Sequence, residues 1–287
     1  MDKALKDHIE YLLCVKIDAI RAISGGDISK AYLLETDSER FFCKVNHKET
    51  ASAMFQVEKK GLEAIAKTKT ISVPQVLLCD PLEKGGYLLM DYIEPKRATA
   101  NDMELLGHRL AALHGLSESN TFGWEDANFI GSLPQRNKKH TDWSKFYVAE
   151  RLWPQLQLAV NEKRLKSNEI PSEERLIESC KNLFPEVKPS LLHGDLWGGN
   201  YLISKENIPY LIDPTVYFGH HEVDIAMTRL FGGFDASFYG AYTEHFPRVD
   251  GEKVRTEIYQ LYYLLVHLNL FGSSYYGSVK AILNRYF

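Results

Sequence analysis

The chain reads as an α+β protein of two lobes, a small antiparallel β-sheet lobe followed by a larger, mostly helical one, and three observations predict this. Between Ile17 and Met90 the apolar residues fall in short runs separated by turn residues, with a single helix-length stretch among them. From Thr99 to the end the apolar spacing is predominantly helical. Within that helical part sits Leu191 to Pro214, LLHGDLWGGNYLISKENIPYLIDP, which has neither period and concentrates polar residues with chemistry.

Taken in order, residues 3 to 13 place Ala4, Leu5, Ile9, Leu12 and Leu13 near helical spacing, as in a short covering helix. Ile17 to Ile23, Ala31 to Thr36 and Arg40 to Val45 then read as strands, joined by the glycine turn Ser24 to Ser29 and by Asp37-Ser38-Glu39. Thr50 to Lys67 is a helix with Ala51, Met54, Leu62 and Ile65 on one side. Val73 to Leu78 and Gly86 to Met90 complete five strands. Asn101 to Leu116 is a helix, and His114 near its end reads as a capping or core histidine. Gly123 to Gln135 reads as a long irregular connection, of the kind that is often functional. Helix resumes over Asp142 to Val160, with Pro154 marking a break or a new first turn, and again from Ser172 to a point before Pro185. Glu222 to Phe231, Asp235 to His245, Glu252 to Leu270 and Ser273 to Tyr286 are the closing helices. His220 and His221 lack the ligands that would complete a metal site, so solvent or supporting roles are expected of them.

Bulk properties exclude several function classes. A chain of 287 residues with 45% hydrophobic and 12% aromatic residues can fill a substantial core. With 34 Lys and Arg against 38 Asp and Glu, the formal charge of −4 makes no case for nucleic acid or an anionic membrane surface as partner. The N-terminus alternates charged and apolar residues, unlike a signal peptide, and the four scattered cysteines, Cys14, Cys43, Cys79 and Cys180, suit a reducing compartment. A cytoplasmic protein is expected; nothing here sets its oligomeric state.

The central stretch points to phosphoryl transfer. That chemistry needs a carboxylate to orient an attacking hydroxyl and oxygen ligands to hold magnesium on the phosphates. Asp195 suits the first task, Asn200 and Asp213 the second, and four residues separate Asp195 from Asn200 as in a kinase catalytic loop. Lys44, ending the strand Phe-Phe-Cys-Lys-Val, is placed to reach nucleotide phosphates. Glu58, one turn beyond Met54, shares the inward stripe and can pair with Lys44, the alternative being a solvated helix charge. The backbone of Gly25, Gly26 and Ile28 can approach phosphate oxygens, although the same turn also suits a plain hairpin. Met90 is expected to wall a base pocket, or simply to fill the core, and the connection Asp91-Tyr92-Ile93 to present backbone groups to an adenine edge. Asp224 is a candidate brace for the backbone of the His193 to Asp195 loop, against the simpler role of a first-turn acid at a helix N-terminus.

On these residues the chain resembles the fructosamine kinase (ketosamine 3-kinase) family, a branch of the protein-kinase-like fold close to aminoglycoside and choline kinases. Leu191 to Asn200 follows the family's LLHGDLWxGN, Leu211 to Asp224 its IDP-x-x-Y-x-G-x-x-E-x-D, Leu230 to Phe234 its LFGGF, and Tyr259 to Gly272 its YQLYxLLxHLNLFG. The resemblance implies ATP- and Mg2+-dependent phosphorylation of the C3 hydroxyl of a ketosamine or glycated lysine, a deglycation repair. Residues 1–91 would be the nucleotide-binding lobe and 92–287 the catalytic and substrate-binding lobe. It assigns Asp195 to the hydroxyl, Asn200 and Asp213 to magnesium, Lys44 held by Glu58 to the phosphates, and Trp197 to the sugar-amine pocket. Where many members carry Cys in the glycine turn this chain has Asp27, which makes a thiol switch there doubtful. A kinase of another small hydroxyl substrate, such as an aminoglycoside, choline or a sugar alcohol, is the alternative enzyme. A pseudokinase is the alternative from another class, although Lys44, Asp195 and Asp213 are all present.

Overall fold

The computed structural model describes residues 1–23, 29–116 and 119–287. The turn positions Gly25, Gly26, Asp27 and Ile28 lie outside the described residues. Helix α1 (Lys3–Leu13) leads into strands β1 (Ala19–Ile23), β2 (Lys30–Glu35) and β3 (Arg40–Asn46). Helix α2 (Ala51–Thr68), β4 (Val76–Pro81) and β5 (Gly86–Asp91) follow. The five strands form one antiparallel sheet in the order β1-β2-β3-β5-β4. β4 starts at Val76 rather than Val73, because Pro74 has no N–H for a ladder.

Alternation of side chains along β3 and β5 gives the sheet two different faces. Phe41, Cys43, Val45, Tyr87 and Leu89 pack with Leu5, Ile9 and Ile17 under α1. Leu88 and Met90 pack with Ala51, Phe55 and Leu62 of α2, and Phe42 lies against them. The same alternation sets Lys44, two residues past Phe42, on the α2 face.

The remainder comprises α3 (Ala100–Gly115), a short hairpin of β6 (Asn128–Ile130) and β7 (Leu133–Gln135), α4 (Trp143–Phe146), α5 (Trp153–Asn161) and α6 (Glu173–Leu183). It continues with β8 (Ser190–Leu192), β9 (Tyr201–Ile203), β10 (Pro209–Leu211), β11 (Tyr217–Gly219), α7 (Glu222–Leu230), α8 (Ala236–His245), α9 (Glu252–Phe271) and α10 (Tyr276–Tyr286). Its main core gathers Phe146, Tyr147, Leu152, Leu192, Tyr217 and most of α9 from Ile258 to Leu268.

One expectation is corrected and two are narrowed. The stretch Gly123 to Gln135 is not simply irregular. Its end folds into the β6–β7 hairpin, whose Asn128 donates to the Val216 carbonyl at 3.0 Å and accepts from Gln135 at 2.7 Å. His220 and His221 do not face solvent: His220 is buried against the Tyr259 hydroxyl at 2.8 Å, and half-buried His221 meets Tyr242 at 2.9 Å. Burial pulls both imidazoles down, His221 to about 3, so both are neutral. At Pro154 the second of the two expected outcomes holds: α5 starts at Trp153 with Pro154 in its first turn, directly after a π-helix over Tyr147–Leu152, and Arg151 donates at 3.0 Å to the Glu150 carbonyl, the group that Pro154 has no N–H to satisfy.

Helices α3 and α8 approach closely at Gly107, where a Cβ would stand 2.4 Å from the Phe238 carbonyl oxygen. Gly107→Ala must force the pair apart. A loss of about 1–3 kcal/mol in urea unfolding is expected, and an unchanged midpoint would contradict the packing described.

Candidate active site

Three short pairings assemble the central stretch. β8 pairs with β11, so His193 leaves the sheet beside Thr215, whose N–H donates to the His193 carbonyl at 2.8 Å. β9 pairs with β10, and the Ile212 N–H reaches the Asn200 carbonyl at 3.1 Å, which sets Asn200 next to Asp213. The two apolar runs that flank the loop in sequence, Leu191-Leu192 and Tyr210 to Ile212, therefore pair with other strands and not with each other.

The loop between them is held mostly through its backbone. Asp224, in the first turn of α7, accepts the N–H of His193 at 2.7 Å and that of Gly194 at 2.9 Å. Gly194 has φ +87°, and a Cβ there would lie 2.3 Å from the Thr215 carbonyl oxygen, so only glycine fits. The His193 ring accepts the Asp195 N–H at its Nδ1 (3.2 Å), which leaves Nε2 to carry the proton and donate to the Ile212 carbonyl at 2.8 Å. Burial holds this imidazole below its usual value against the pull of Asp224, in keeping with the neutral tautomer. Asn200 donates to the Asp195 carbonyl at 2.8 Å and to the Asp195 carboxylate at 3.3 Å.

The sheet lobe contributes the cation. Lys44 Nζ donates to Glu58 at 2.7 Å and also to the Asp213 carboxylate, linking β3, α2 and the stretch after β10 at one ammonium group. Burial alone would lower the Lys44 pKa, but Asp213 and Glu58 overcome it and the ammonium is held above its ordinary range. Burial raises Glu58, with Asp213 adding to the rise and Lys44 opposing it. Asp195 is pushed up to about 7 by burial first, then by the charges of Asp213 and Asp224. Asp195, Asp213 and Glu58 set three carboxyl groups against the one ammonium of Lys44, so with all three ionised two negative charges are uncompensated.

That surplus fits a divalent cation. Asp213 is 42% exposed and adopts φ +54°, a conformation that aspartate tolerates better than most side chains. Asn200 spends its amide nitrogen on Asp195, and its amide oxygen makes no hydrogen bond to a described residue. Among the described residues no group of three or more His, Cys, Asp or Glu forms a metal cage. Magnesium needs none, since it keeps several waters and takes one or two carboxylates together with phosphate oxygens.

The other expected residues are placed as follows. Met90 is buried in the cluster between the sheet and α2. The Asp91 and Tyr92 N–H groups go to Gln75 and Arg40, whereas the peptide groups of Ile93 have no hydrogen bond to a described residue. One Asp91 carboxylate oxygen is buried without a partner among the described residues. Trp197 is 42% exposed, and its ring lies over Gly199. His114 plays a part that its spacing did not reveal. It is buried, with Nε2 3.1 Å from Asp224 and Nδ1 2.8 Å from the Tyr242 hydroxyl, and so holds the acid that holds the loop. Its partner lies 110 residues away, and no local pattern signals it.

Comparison with known proteins gives the family. Residues 1–287 match the fructosamine kinase family. A chloroplastic protein-ribulosamine 3-kinase of Arabidopsis thaliana is 40% identical over 275 residues, 94% of this chain and 83% of that protein. A probable ketoamine kinase of Synechocystis is 37% identical over 272 residues, 94% of this chain and 90% of that one. A solved structure of a candidate fructosamine-3-kinase from Thermobifida fusca superposes with TM-score 0.87 at 27% identity, covering 99% of this chain and 98% of that one. Solved choline and aminoglycoside kinases, 15% to 17% identical, share the protein-kinase-like fold alone. The chain belongs to the fructosamine kinase family and is an ATP-dependent phosphotransferase acting on a hydroxyl group.

The raised Asp195 pKa has a consequence for stability. Between the ordinary aspartate value of 3.8 and about 7 the native state keeps a proton that the unfolded chain has lost, so stability falls as pH rises across that window. Asp195→Asn has no such proton. In metal-free thermal scans its Tm advantage over wild type should be absent near pH 4, grow up to about pH 7 and then level off; a gap independent of pH would contradict the assignment.

Proposed function

From that family membership we propose that the protein phosphorylates the C3 hydroxyl of ketosamines, using ATP and magnesium, and so starts the release of the sugar from a glycated amine. The observation that carries this reading is the convergence of Lys44, Glu58, Asp195, Asn200 and Asp213 in one cluster with a surplus of negative charge. Asp195 orients the sugar hydroxyl and accepts its proton, a role that the raised pKa suits because the proton affinity is then matched to neutral pH. Lys44, kept charged and aimed by Glu58, binds phosphate oxygens. Asp213 and the Asn200 amide oxygen hold the magnesium, which supplies the positive charge that the transferring phosphoryl group needs.

The same reading assigns residues 1–91 to the nucleotide and 92–287 to the acceptor and the chemistry. Ile93 is supported as the residue that pairs with the adenine edge by its unused peptide groups, with Asp91 beside it and Met90 behind the base. Gly25, Gly26 and Ile28 are assigned to the phosphates on sequence alone. Trp197 offers an exposed aromatic face to the sugar and the cationic amine. No helix among the described residues is long and apolar enough to cross a membrane. The scattered cysteines, three of them buried and none paired, support a cytoplasmic setting.

A coupled assay for ATP consumption over ribulose-, erythrulose- and fructose-lysine tests the reading. Turnover should require magnesium, stop on chelation, and fall by several orders of magnitude in Asp195→Asn. Turnover of choline or an aminoglycoside without turnover of any ketosamine would overturn the substrate. A near-wild-type rate in Asp195→Asn would overturn the role of that residue.

A further inference from the structure

Gly194 is gripped through both of its peptide groups, and one of the two grips comes from a residue that the proposed chemistry leaves unused. On one side Asp224 takes the Gly194 N–H. On the other, Tyr263 of α9 donates its hydroxyl to the Gly194 carbonyl at 2.9 Å. That carbonyl belongs to the peptide whose nitrogen is the Asp195 N–H, so its orientation sets where Asp195 leaves the backbone. Tyr263 is fully buried, in the middle of α9, most of which lies in the core of the larger lobe. Burial also raises its phenol well above the ordinary range, so the hydroxyl stays a donor throughout the working pH range.

We infer that Tyr263 is a positioning residue for the phosphoryl transfer: its hydroxyl fixes the Gly194–Asp195 peptide and through it the aim of the Asp195 carboxylate. The loop needs such a clamp. Gly194 sits at φ +87°, where the backbone has freedom no other residue allows, and without Tyr263 its carbonyl is left buried with one anchor fewer. Among the described residues the Tyr263 hydroxyl bonds the Gly194 carbonyl and none of Lys44, Glu58, Asn200 or Asp213, so its influence falls on the chemical step. Displacing a reacting group by about 1 Å costs on the order of 100-fold in rate.

The test compares Tyr263→Phe with Tyr147→Phe. Tyr147 is an equally buried tyrosine that donates at 3.1 Å and 3.2 Å to the Ile258 and Tyr259 carbonyls of the same helix and has no bond to the loop. Tyr263→Phe should lower kcat about 10- to 100-fold with KM for ATP within twofold of wild type. Tyr147→Phe should lose comparable Tm and keep kcat within about twofold. Installing 4-aminophenylalanine at position 263, which restores a donor, should recover most of kcat, while 4-fluorophenylalanine, similar in size without one, should not. This last pair decides the matter if Tyr263→Phe does not fold.

Unchanged kcat in Tyr263→Phe, an equal kcat loss in Tyr147→Phe, or equal rates for the two phenylalanine analogues would overturn the inference. It rests on the proposed function for the acceptor and for the role of Asp195. Absence of ketosamine turnover in wild type would sink that reading alone, and the variant ratios can then be taken on magnesium-dependent ATP hydrolysis.

Discussion

The site depends on one ammonium group shared by two carboxylates from opposite parts of the chain. Lys44 lies on a sheet strand, Glu58 on the helix packed over that strand, and Asp213 in the turn after β10. Burying Lys44 and Glu58 carries a desolvation cost of several kcal/mol that their attraction must first offset, so the cluster is poor evidence for stability and better evidence for placement. Its value is geometric. Wherever Lys44 is held, Glu58 fixes α2 and Asp213 fixes the loop that presents Asn200, so the two lobes are tied together at this cluster of carboxylates.

The opposite wall is built by backbone hydrogen bonds to buried side chains. A carboxylate that accepts two peptide N–H groups, as Asp224 does, is held by charge-assisted bonds of about 1.5–3 kcal/mol each. His114 restrains that carboxylate from behind, and His193 ties the Asp195 peptide to Ile212. Asp195 thus emerges from a firmly bonded frame while its own carboxylate carries desolvation and repulsion that the Asn200 amide only partly relieves. The frame carries the stability that Asp195 gives up, the usual relation between a strained functional group and its support.

Much of this was legible in the sequence because its causes are local. Strand alternation placed Lys44 on the helix-facing side of β3, and helical spacing placed Glu58 opposite it. The interval from Asp195 to Asn200 marked the loop. What escaped the reading is set at long range. β6 to β11 are three residues each, too short for a period to show, so their pairing partners could not be read. The roles of His114 and Tyr263 are fixed by partners 110 and 69 residues away. His220 and His221 looked polar, yet one is buried and the other half-buried, because Tyr259 and Tyr242 each meet one ring nitrogen. A tyrosine within an apolar helical run gives no sign of which carbonyl its hydroxyl will reach.

The most direct measurement of the central claim is calorimetric titration of ATP into wild type and Asp213→Asn, each with and without magnesium. If the uncompensated charge beside Lys44 is what receives the metal-bound nucleotide, magnesium should strengthen ATP binding to wild type by at least tenfold and do little for Asp213→Asn. An equal effect of magnesium on both proteins would contradict the account.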